Sequence, residues 1–366
     1  MKKSFLWLLL VGGLLAAASA RPRLNSVCAG KDPSLAADLQ GGLHLAYEGS
    51  RAGNDIYYRS SVDGRSWSEE VNVSNSSGIS SEPALAVERS GAVDVVWADT
   101  TSGSDHPDIY FARTGDAGKT WSTALDVSRT PRLSRSPSVA VGPHDSLHVC
   151  WVDTSRGRSF PDLYYVFSYN HGQSWSKPAL ISGSTGVTSR PALVASADGQ
   201  IHVAWADGGS RPAIRYIHGQ ADGWASARAL GNGFCSQPCL AVGPRDQVLL
   251  GWIGQLRSHE SPNVYLYPLG STQSVNVSRT PGTSRDPALA IGATGPVLSW
   301  IDTTSGASTP DVWMSVGGRV LDVSHTPGVS RMPVLAPVKG KVWVLWEELE
   351  LGSCWLKLTS VPVKGT

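Results

Sequence analysis

The sequence predicts an all-β protein folded as a seven-bladed β-propeller of four-stranded antiparallel blades. The first observation is a short phrase, Pro-x-(Leu or Val), that recurs at Pro33, Pro83, Pro137, Pro191, Pro238, Pro287 and Pro333. The steps between these prolines are 50, 54, 54, 47, 49 and 46 residues. A period of this size is the mark of a repeat architecture. The predicted repeats begin near residues 31, 81, 135, 189, 236, 285 and 331.

The second observation is the pattern within one repeat, here the second. A short apolar run, residues 83–87, follows a proline, which suits the first residue of a strand. Val93, Val95 and Trp97 then recur with a period of two, which indicates a strand. Residues 109–113 predict a third strand and residues 121–127 a fourth. Four short strands in about 50 residues describe one propeller blade.

The third observation is a bulky aromatic residue at the end of every predicted second strand, suited to the space between neighbouring sheets. These residues are Tyr47, Trp97, Trp151, Trp205, Trp252, Trp300 and Trp346. Because the third-strand pattern is degenerate in the fourth and seventh repeats, a six-bladed ring with an extra half-unit is the alternative.

The N-terminus predicts export. Lys2 and Lys3 precede an apolar run that ends in Ala18-Ser19-Ala20, as in a secretory signal peptide over residues 1–20. Residues 21–366 then form a single propeller domain, with no membrane span after removal of the signal. We expect a monomer that is secreted, periplasmic or on the cell surface. A net charge of +1 without a basic block argues against nucleic acid as a partner.

The five cysteines are an odd number for an exported protein. Cys28 and Cys354 come from opposite ends of the chain, and ring closure would make them neighbours. A disulfide between them would then staple the ring. Cys235 and Cys239 flank the start of one strand and are a second candidate pair.

The turn between the third and fourth strands carries a sharper signature. Residues 114–121 read TGDAGKTW, and related phrases stand at 60–67 (SSVDGRSW) and 168–175 (SYNHGQSW). The pattern resembles the Asp-box of the sialidase-like, or BNR-repeat, propellers, with a full match at Thr114, Asp116, Gly118 and Trp121. In the first copy the aspartate is one place late, at Asp63, and in the third copy Asn170 replaces it.

The resemblance implies the propeller fold and places functional residues on one face of the ring. In the family the Asp-box itself marks the fold and lies away from the active site. Sialidases of this family hold a carboxylate with three arginines and use a tyrosine nucleophile, a glutamate and an aspartate. The family's first-blade arginine corresponds here to Lys31, and no tyrosine in this sequence stands out as a nucleophile.

Two sets of charged residues are expected to converge on the face formed by the loops after the second strands and the loops between blades. The acidic set is Asp99, Asp153, Asp207 and Asp302, with Glu347 and Glu348 in the last blade. The basic set stands just before the repeat prolines: Arg135, Arg190, Arg285 and Arg331. One interpretation is that each aspartate caps its own loop or pairs with an arginine of a neighbouring blade. The other is that several arginines hold an anionic ligand, since guanidinium binds carboxylate in a bidentate manner.

Three further candidates occur in the first repeat only, namely Lys31, Glu48 and Arg51. The nine histidines show no metal-ligand spacing, and we expect no cofactor and no metal. The sequence therefore predicts a secreted, non-catalytic binding or scaffold module whose ligand is a glycan or an extracellular protein. The alternative is an exo-acting retaining glycoside hydrolase of the sialidase type.

Overall fold

The computed structural model describes residues 24–49, 54–101, 106–157, 161–182, 186, 190–208, 212–220, 223–231, 233–255 and 260–363. Their strands form seven antiparallel sheets, which confirms the seven-bladed prediction and excludes the six-bladed alternative. One 3₁₀ turn, Pro143–Asp145, is the only helix in these ranges, so none of the helices described could cross a membrane. The predicted signal peptide lies outside the described residues.

The first three blades are built alike, with each strand pairing to the next along the chain. Blade 1 comprises Lys31–Ala37, Leu43–Glu48, Ile56–Ser61 and Val71–Asn72. Blade 2 comprises Ser80–Val87, Val93–Asp99, Asp108–Thr114 and Leu125–Asp126. Blade 3 comprises Ser134–Val141, Leu147–Asp153, Asp162–Ser168 and Ala179–Leu180. The fourth strands are only two residues long, shorter than the sequence pattern suggested.

The next three blades keep this order. Blade 4 comprises Ala192–Ala195, Ile201–Asp207 and Ala213–Gln220, and its outer edge is divided into Gly223–Trp224 and Arg228–Leu230. Blade 5 comprises Phe234–Val242, Val248–Gln255, Asn263–Pro268 and Val275–Asn276. Blade 6 comprises Ser284–Gly292, Gly295–Asp302, Asp311–Val316 and Arg319–Asp322.

Blade 7 closes the ring with a strand from the other end of the chain. Its first three strands are Val329–Val338, Lys341–Glu350 and Ser353–Pro362, and its outermost strand is Asn25–Ala29. The closing strand is antiparallel to Ser353–Pro362, with Asn25 opposite Leu358 and Ala29 opposite Trp355. Backbone hydrogen bonds therefore join the two ends of the described chain and close the ring.

The first strand of every blade packs against the first strands of both neighbouring blades, so these seven strands surround the central axis. The hydrophobic core consists of layers between adjacent sheets. Trp97, for example, is fully buried in a cluster that joins blades 1 and 2, and Trp151 is buried between blades 2 and 3. The bulky residues at the ends of the second strands thus fill the space between sheets, as the sequence predicts.

The Asp-box turns contact the preceding blade. In blade 2 the backbone amide of Gly118 donates to Thr114 Oγ1 at 3.0 Å, and Asp116 Oδ1 accepts from the amide of Thr120 at 2.9 Å. Gly118 has a φ of +90°, and a Cβ there would lie 2.2 Å from the ring of Tyr58. Glycine is therefore required both by the turn and by the close approach of blade 1.

Neither predicted disulfide, Cys28–Cys354 or Cys235–Cys239, is formed in the structure. Cys28 stands opposite Leu356 in the closing ladder, out of register with Cys354. Cys235 and Cys239 lie on one strand, opposite Gly254 and Gly251, and a register shift separates them. The prediction of neighbouring ends was right, but the strand register does not align the thiols.

Candidate functional site

The first strands begin, and the second strands end, on the same side of the ring, which we call the front face. Close to the start of each first strand, one residue stands immediately before the repeat proline; in blade 4 this residue precedes the strand itself. We call these seven the axial residues: Asp32, Glu82, Ser136, Arg190, Gln237, Asp286 and Met332. Six of them, all except Arg190, have a positive φ, between 46° and 56°.

A positive φ is unfavourable for residues with a Cβ, by about 1 kcal/mol each. At the same place the register between first and second strands shifts in six blades, for example between Lys31 and Ser34. A bulge of this kind bends the strand and redirects a side chain. Backbone strain repeated around one opening is typical of a functional site.

The side chains of the axial residues meet across the ring. Arg190 Nη2 of blade 4 donates to both carboxylate oxygens of Asp32 in blade 1, at 2.8 and 2.6 Å. It also lies 3.8 Å from Glu82 Oε1 of blade 2. Burial works against the charge of Arg190, but the surrounding carboxylates outweigh it and raise its pKa above the ordinary value. Arg190 thus spans the axis and ties three blades together.

The other axial residues form shorter links. The amide of Ser136 donates to Glu82 Oε2 at 2.6 Å. Gln237 Nε2 donates to Asp286 Oδ1 at 2.6 Å, and the amide of Asp286 donates back to Gln237 Oε1 at 3.0 Å. The acidic groups at the axis are therefore engaged with partners from other blades.

Glu347 of blade 7 belongs to the same network. Its side chain accepts a hydrogen bond from the backbone amide of Asp32. Burial raises the pKa of Glu347 above its usual range.

A second set of residues stands one position earlier along the chain, and we call them the rim residues. Those that the structure describes are Lys31, Ser81, Arg135, Ser236, Arg285 and Arg331. Lys31 Nζ is 2.7 Å from Glu48 Oε1, and the lysine side chain is 48% exposed. The hydrogen bond to Glu48 raises the pKa of Lys31, whereas burial raises the pKa of Glu48 despite the lysine. Lys31 and Glu48 therefore satisfy each other at the edge of the opening.

The remaining cationic rim residues are Arg135, Arg285 and Arg331. Arg135 and Arg331 are exposed and make no ion pair with any residue that the structure describes. Arg285 has only a loose contact, 3.9 Å, with Asp286. Arg135 and Arg331 thus make no close ion pair among the described residues, and Arg285 makes only a distant one, although Arg331 stands opposite Glu347 in the strand ladder.

The sequence placed Arg190 with these three arginines, and the structure corrects this. Arg190 directly precedes its proline and is equivalent to Asp32, whereas Arg135, Arg285 and Arg331 stand one residue further back and are equivalent to Lys31. The site also contains residues that were not predicted from the sequence: Glu82, Ser136, Gln237, Asp286 and Met332. Their position before each repeat proline was the signal that could have revealed them.

The predicted acidic residues lie inside the blades. Asp302 Oδ2 accepts from Ser284 Oγ at 2.8 Å and from the indole nitrogen of Trp300 at 3.2 Å. Asp99 and Asp153 make equivalent bonds in their own blades, and Asp207 pairs with Arg215 at 3.0 Å. All four aspartates are buried and bonded within their own blades, so they are blade components that a ligand on the front face would not contact.

Arg51 lies outside the described residues. The structure does contain a tyrosine–glutamate pair: Tyr47 Oη donates to Glu70 at 2.8 Å. Tyr47 is fully buried at the seam between blades 7 and 1, next to Cys28, and burial strongly raises its pKa. All ten tyrosines lie in second or third strands, or in the turn at Tyr169, and none is an axial or rim residue.

One group of side chains in blade 6 has metal-binding geometry. Ligand atoms of Asp311, Asp322 and His325 lie within 4.8 Å of one another. The sequence analysis did not anticipate this group. Asp311 and Asp322 occupy the same places as Asp55 and Asn72 in blade 1, where the two side chains hydrogen-bond at 2.9 Å. The arrangement is thus a repeated blade feature, and we assign no ligand to it.

Comparison with known proteins gives structural likenesses only. No family model and no curated protein matches the sequence. A polysaccharide lyase of family PL25, an ulvan lyase, superposes with a TM-score of 0.62 at 11% identity, over 93% of this chain and 95% of that one. A protein of unknown function from Dyadobacter fermentans has a TM-score of 0.58 at 12% identity, over 93% and 99%.

The NanB sialidase from Streptococcus pneumoniae superposes with a TM-score of 0.52 at 9% identity, over 95% of this chain and 70% of that one. At such identities the likeness extends to the fold alone. Together with the Asp-box turns and the seven four-stranded sheets, these likenesses identify the chain as a β-propeller of the sialidase-like fold.

Proposed function

We propose that this protein is a secreted, non-catalytic binding module for acidic carbohydrate, with its binding surface on the front face around the axial residues. The observation that carries the proposal is that the acidic side chains there have partners within the protein, whereas two of the basic side chains have none among the described residues. The axial and neighbouring acidic groups are bonded internally, whereas Arg135 and Arg331 are exposed and unpaired among the described residues. A surface of this kind favours carboxylate or sulfate groups.

Two further observations support a carbohydrate. Phe234 is 58% exposed at the start of the first strand of blade 5, on the front face, where an aromatic ring can cover the apolar side of a sugar. One of the structural neighbours is an ulvan lyase bound to a chain of GlcA and Rha3S, a uronate and a sulfated sugar.

The positions of the tyrosines support binding without hydrolysis. A sialidase-type mechanism needs a tyrosine at the axis, and the tyrosine that has a glutamate partner, Tyr47, is buried at a blade seam. Arg190, which in a carboxylate pocket would face the ligand, is already bound to Asp32.

The test is titration calorimetry of the purified protein with polyglucuronate, and with dextran as the neutral control. We expect binding to polyglucuronate only, weakened on the order of tenfold by Arg331→Ala, since a charge-assisted hydrogen bond contributes about 1.5 kcal/mol. Arg65→Ala, in an exposed turn on the opposite face, is the matched control and should bind as the wild type does. Equal binding of both polymers, or turnover of a fluorogenic sialoside, would overturn the proposal.

A further inference from the structure

The unpaired arginines and the ion pair that crosses the axis lie on different diameters of the ring. The order of the first strands around the axis follows the chain, and the last blade packs against the first. In a ring of seven, blade 3 therefore stands opposite blades 6 and 7. Arg135 belongs to blade 3, whereas Arg285 and Arg331 belong to blades 6 and 7. Cationic groups thus face each other from opposite sides of the front opening.

The axis itself is closed to a ligand between them. Arg190 reaches from blade 4 to Asp32 in blade 1 with contacts of 2.8 and 2.6 Å, and it approaches Glu82 at 3.8 Å. Asp32 is 9% exposed, and its backbone amide is held by Glu347 of blade 7. Insertion of a sugar into the axis would separate these charges, which are held by four blade-to-blade contacts.

We propose that the front face binds an internal stretch of an acidic polysaccharide, laid across the opening from blade 3 to blades 6 and 7, and does not take a terminal sugar into the axis. This inference rests on the proposed function and specifies its ligand. The chain passes over Arg190 and Asp32, and its carboxylates or sulfates meet Arg135 on one side and Arg285 and Arg331 on the other. Each contact is weak alone, and connection through one polymer makes them act together.

The mode of binding predicts how affinity depends on chain length. A ligand that reaches only one side of the opening gains affinity from the arginines on that side. A ligand that spans the opening gains affinity from the arginines on both sides. Arg135→Ala should therefore have little effect on a short oligosaccharide held at blades 6 and 7. The same change should weaken a long one on the order of tenfold, since the second contact has been lost.

The experiment is calorimetric titration with glucuronate, with oligoglucuronates of two to ten sugars, and with the polymer after chemical blocking of both chain ends. We expect no detectable binding of the monosaccharide and a steep increase in affinity over a narrow range of oligosaccharide lengths. Blocking of the chain ends should leave the affinity of the polymer unchanged. In Arg135→Ala the increase in affinity with length should be lost. Arg65→Ala is the control, and thermal unfolding of both variants verifies their fold. Binding of glucuronate or sialic acid in competition with the polymer would overturn the inference and leave the proposed function standing. Failure of every acidic ligand would overturn both.

Discussion

Arg190 and Asp32 lie in blades 4 and 1, and their side chains meet over the axis with two contacts of 2.8 and 2.6 Å. The pair therefore joins two nearly opposite parts of a ring whose other contacts are mostly between neighbours. Asp32 lies at a strained bulge with a φ of +54°, so the ion pair also holds one unfavourable backbone conformation in place.

Replacement of Arg190 by alanine leaves Asp32 and Glu82 without their cation. The arginine side chain is 43% exposed, so water compensates part of the loss. We expect the free energy of unfolding to fall by ~1 kcal/mol, measured by urea denaturation at neutral pH. Addition of Asp32→Asn to Arg190→Ala should recover part of the lost free energy, since the carboxylate charge left unpaired is then removed. Equal stability of the single and double variants would contradict the pairing.

The glycine of the Asp-box turn offers a steric prediction with an internal control. Gly118 and Gly91 have similar φ values, +90° and +86°, but a Cβ at Gly118 would lie 2.2 Å from Tyr58, whereas nothing lies within 4 Å at Gly91. Gly91→Ala should cost only the conformational penalty, ~1 kcal/mol. Gly118→Ala should cost at least about 2 kcal/mol more, because blade 1 must move. Calorimetric unfolding of both variants measures the difference, and equal losses would show that blade contact plays no part.

The buried aspartates at the ends of the second strands are predicted to act in stability. Asp302 is fully buried, and its bonds to Ser284 and Trp300 hold the start of the first strand and the inter-sheet tryptophan together. Asp302→Ala leaves several donors unsatisfied and should lower the unfolding free energy by about 3 kcal/mol. In the folded fraction, affinity for an acidic glycan should be unchanged. Arg331→Ala should instead weaken glycan binding and leave the unfolding free energy unchanged. Loss of both affinity and stability in either variant would contradict the assignment of Asp302 to stability and Arg331 to binding.

Because of buried histidines in the second strands, we expect the folded protein to lose stability as the pH falls. His148 Nδ1 lies 2.7 Å from the hydroxyl of Tyr165, and burial lowers the pKa of His148 from 6.5 to about 4. Between pH 6.5 and about 4 the unfolded chain binds a proton that the folded one does not, so stability is lost as the pH falls through this window.

The loss from one such group approaches about 3 kcal/mol at the acid end. His148→Gln should remove that share of the pH dependence in urea denaturation at pH 7 and pH 4.5. A wild-type profile in His148→Gln would contradict the assignment.

The repeat period, the alternating strands and the aromatic ends of the second strands together were sufficient to predict seven blades, because each repeat has to bury the same faces. The meeting of the two chain ends was predicted, but the closing strand Asn25–Ala29 was not, since that segment precedes the first repeat phrase and pairs with a strand more than 300 residues away. The site was found only in part. The rim position of Lys31 and three arginines is visible in the sequence, but the opposed positions of Asp32 and Arg190 depend on the ring.

Asp94 in blade 2 is an exception among the second strands, and it supports a last prediction. The equivalent positions in blades 1, 3 and 4 are His44, His148 and His202, each 2.7 Å from a tyrosine hydroxyl. Blade 2 has Phe111 in place of the tyrosine, and both carboxylate oxygens of Asp94 are buried without a hydrogen-bond partner. Its nearest cation, Arg113, is 3.7 Å away.

Arg113 is shared with a second buried carboxylate. Its Nε and Nη2 both donate to Glu88 at 2.9 Å, and His171 of the next blade lies 3.1 Å from the same group. Burial, together with the charge of Glu88, therefore raises the pKa of Asp94 well above its usual range. Glu88 is also buried, but Arg113, Ser90 and His171 outweigh this and lower its pKa.

The two acids should consequently respond to neutralisation in opposite directions. The unfolded chain ionises Asp94 at a lower pH than the folded one, so Asp94 costs stability as the pH rises above 3.8. Asp94→Asn should raise the unfolding free energy at pH 7 by ~1 kcal/mol, and the gain should vanish near pH 3, where both states are protonated. Glu88→Gln should lower it at pH 7 by ~2 kcal/mol, because Arg113 loses its bidentate partner. Urea denaturation at both pH values measures each effect, and a destabilised Asp94→Asn would mean that its carboxylate is a required partner of Arg113.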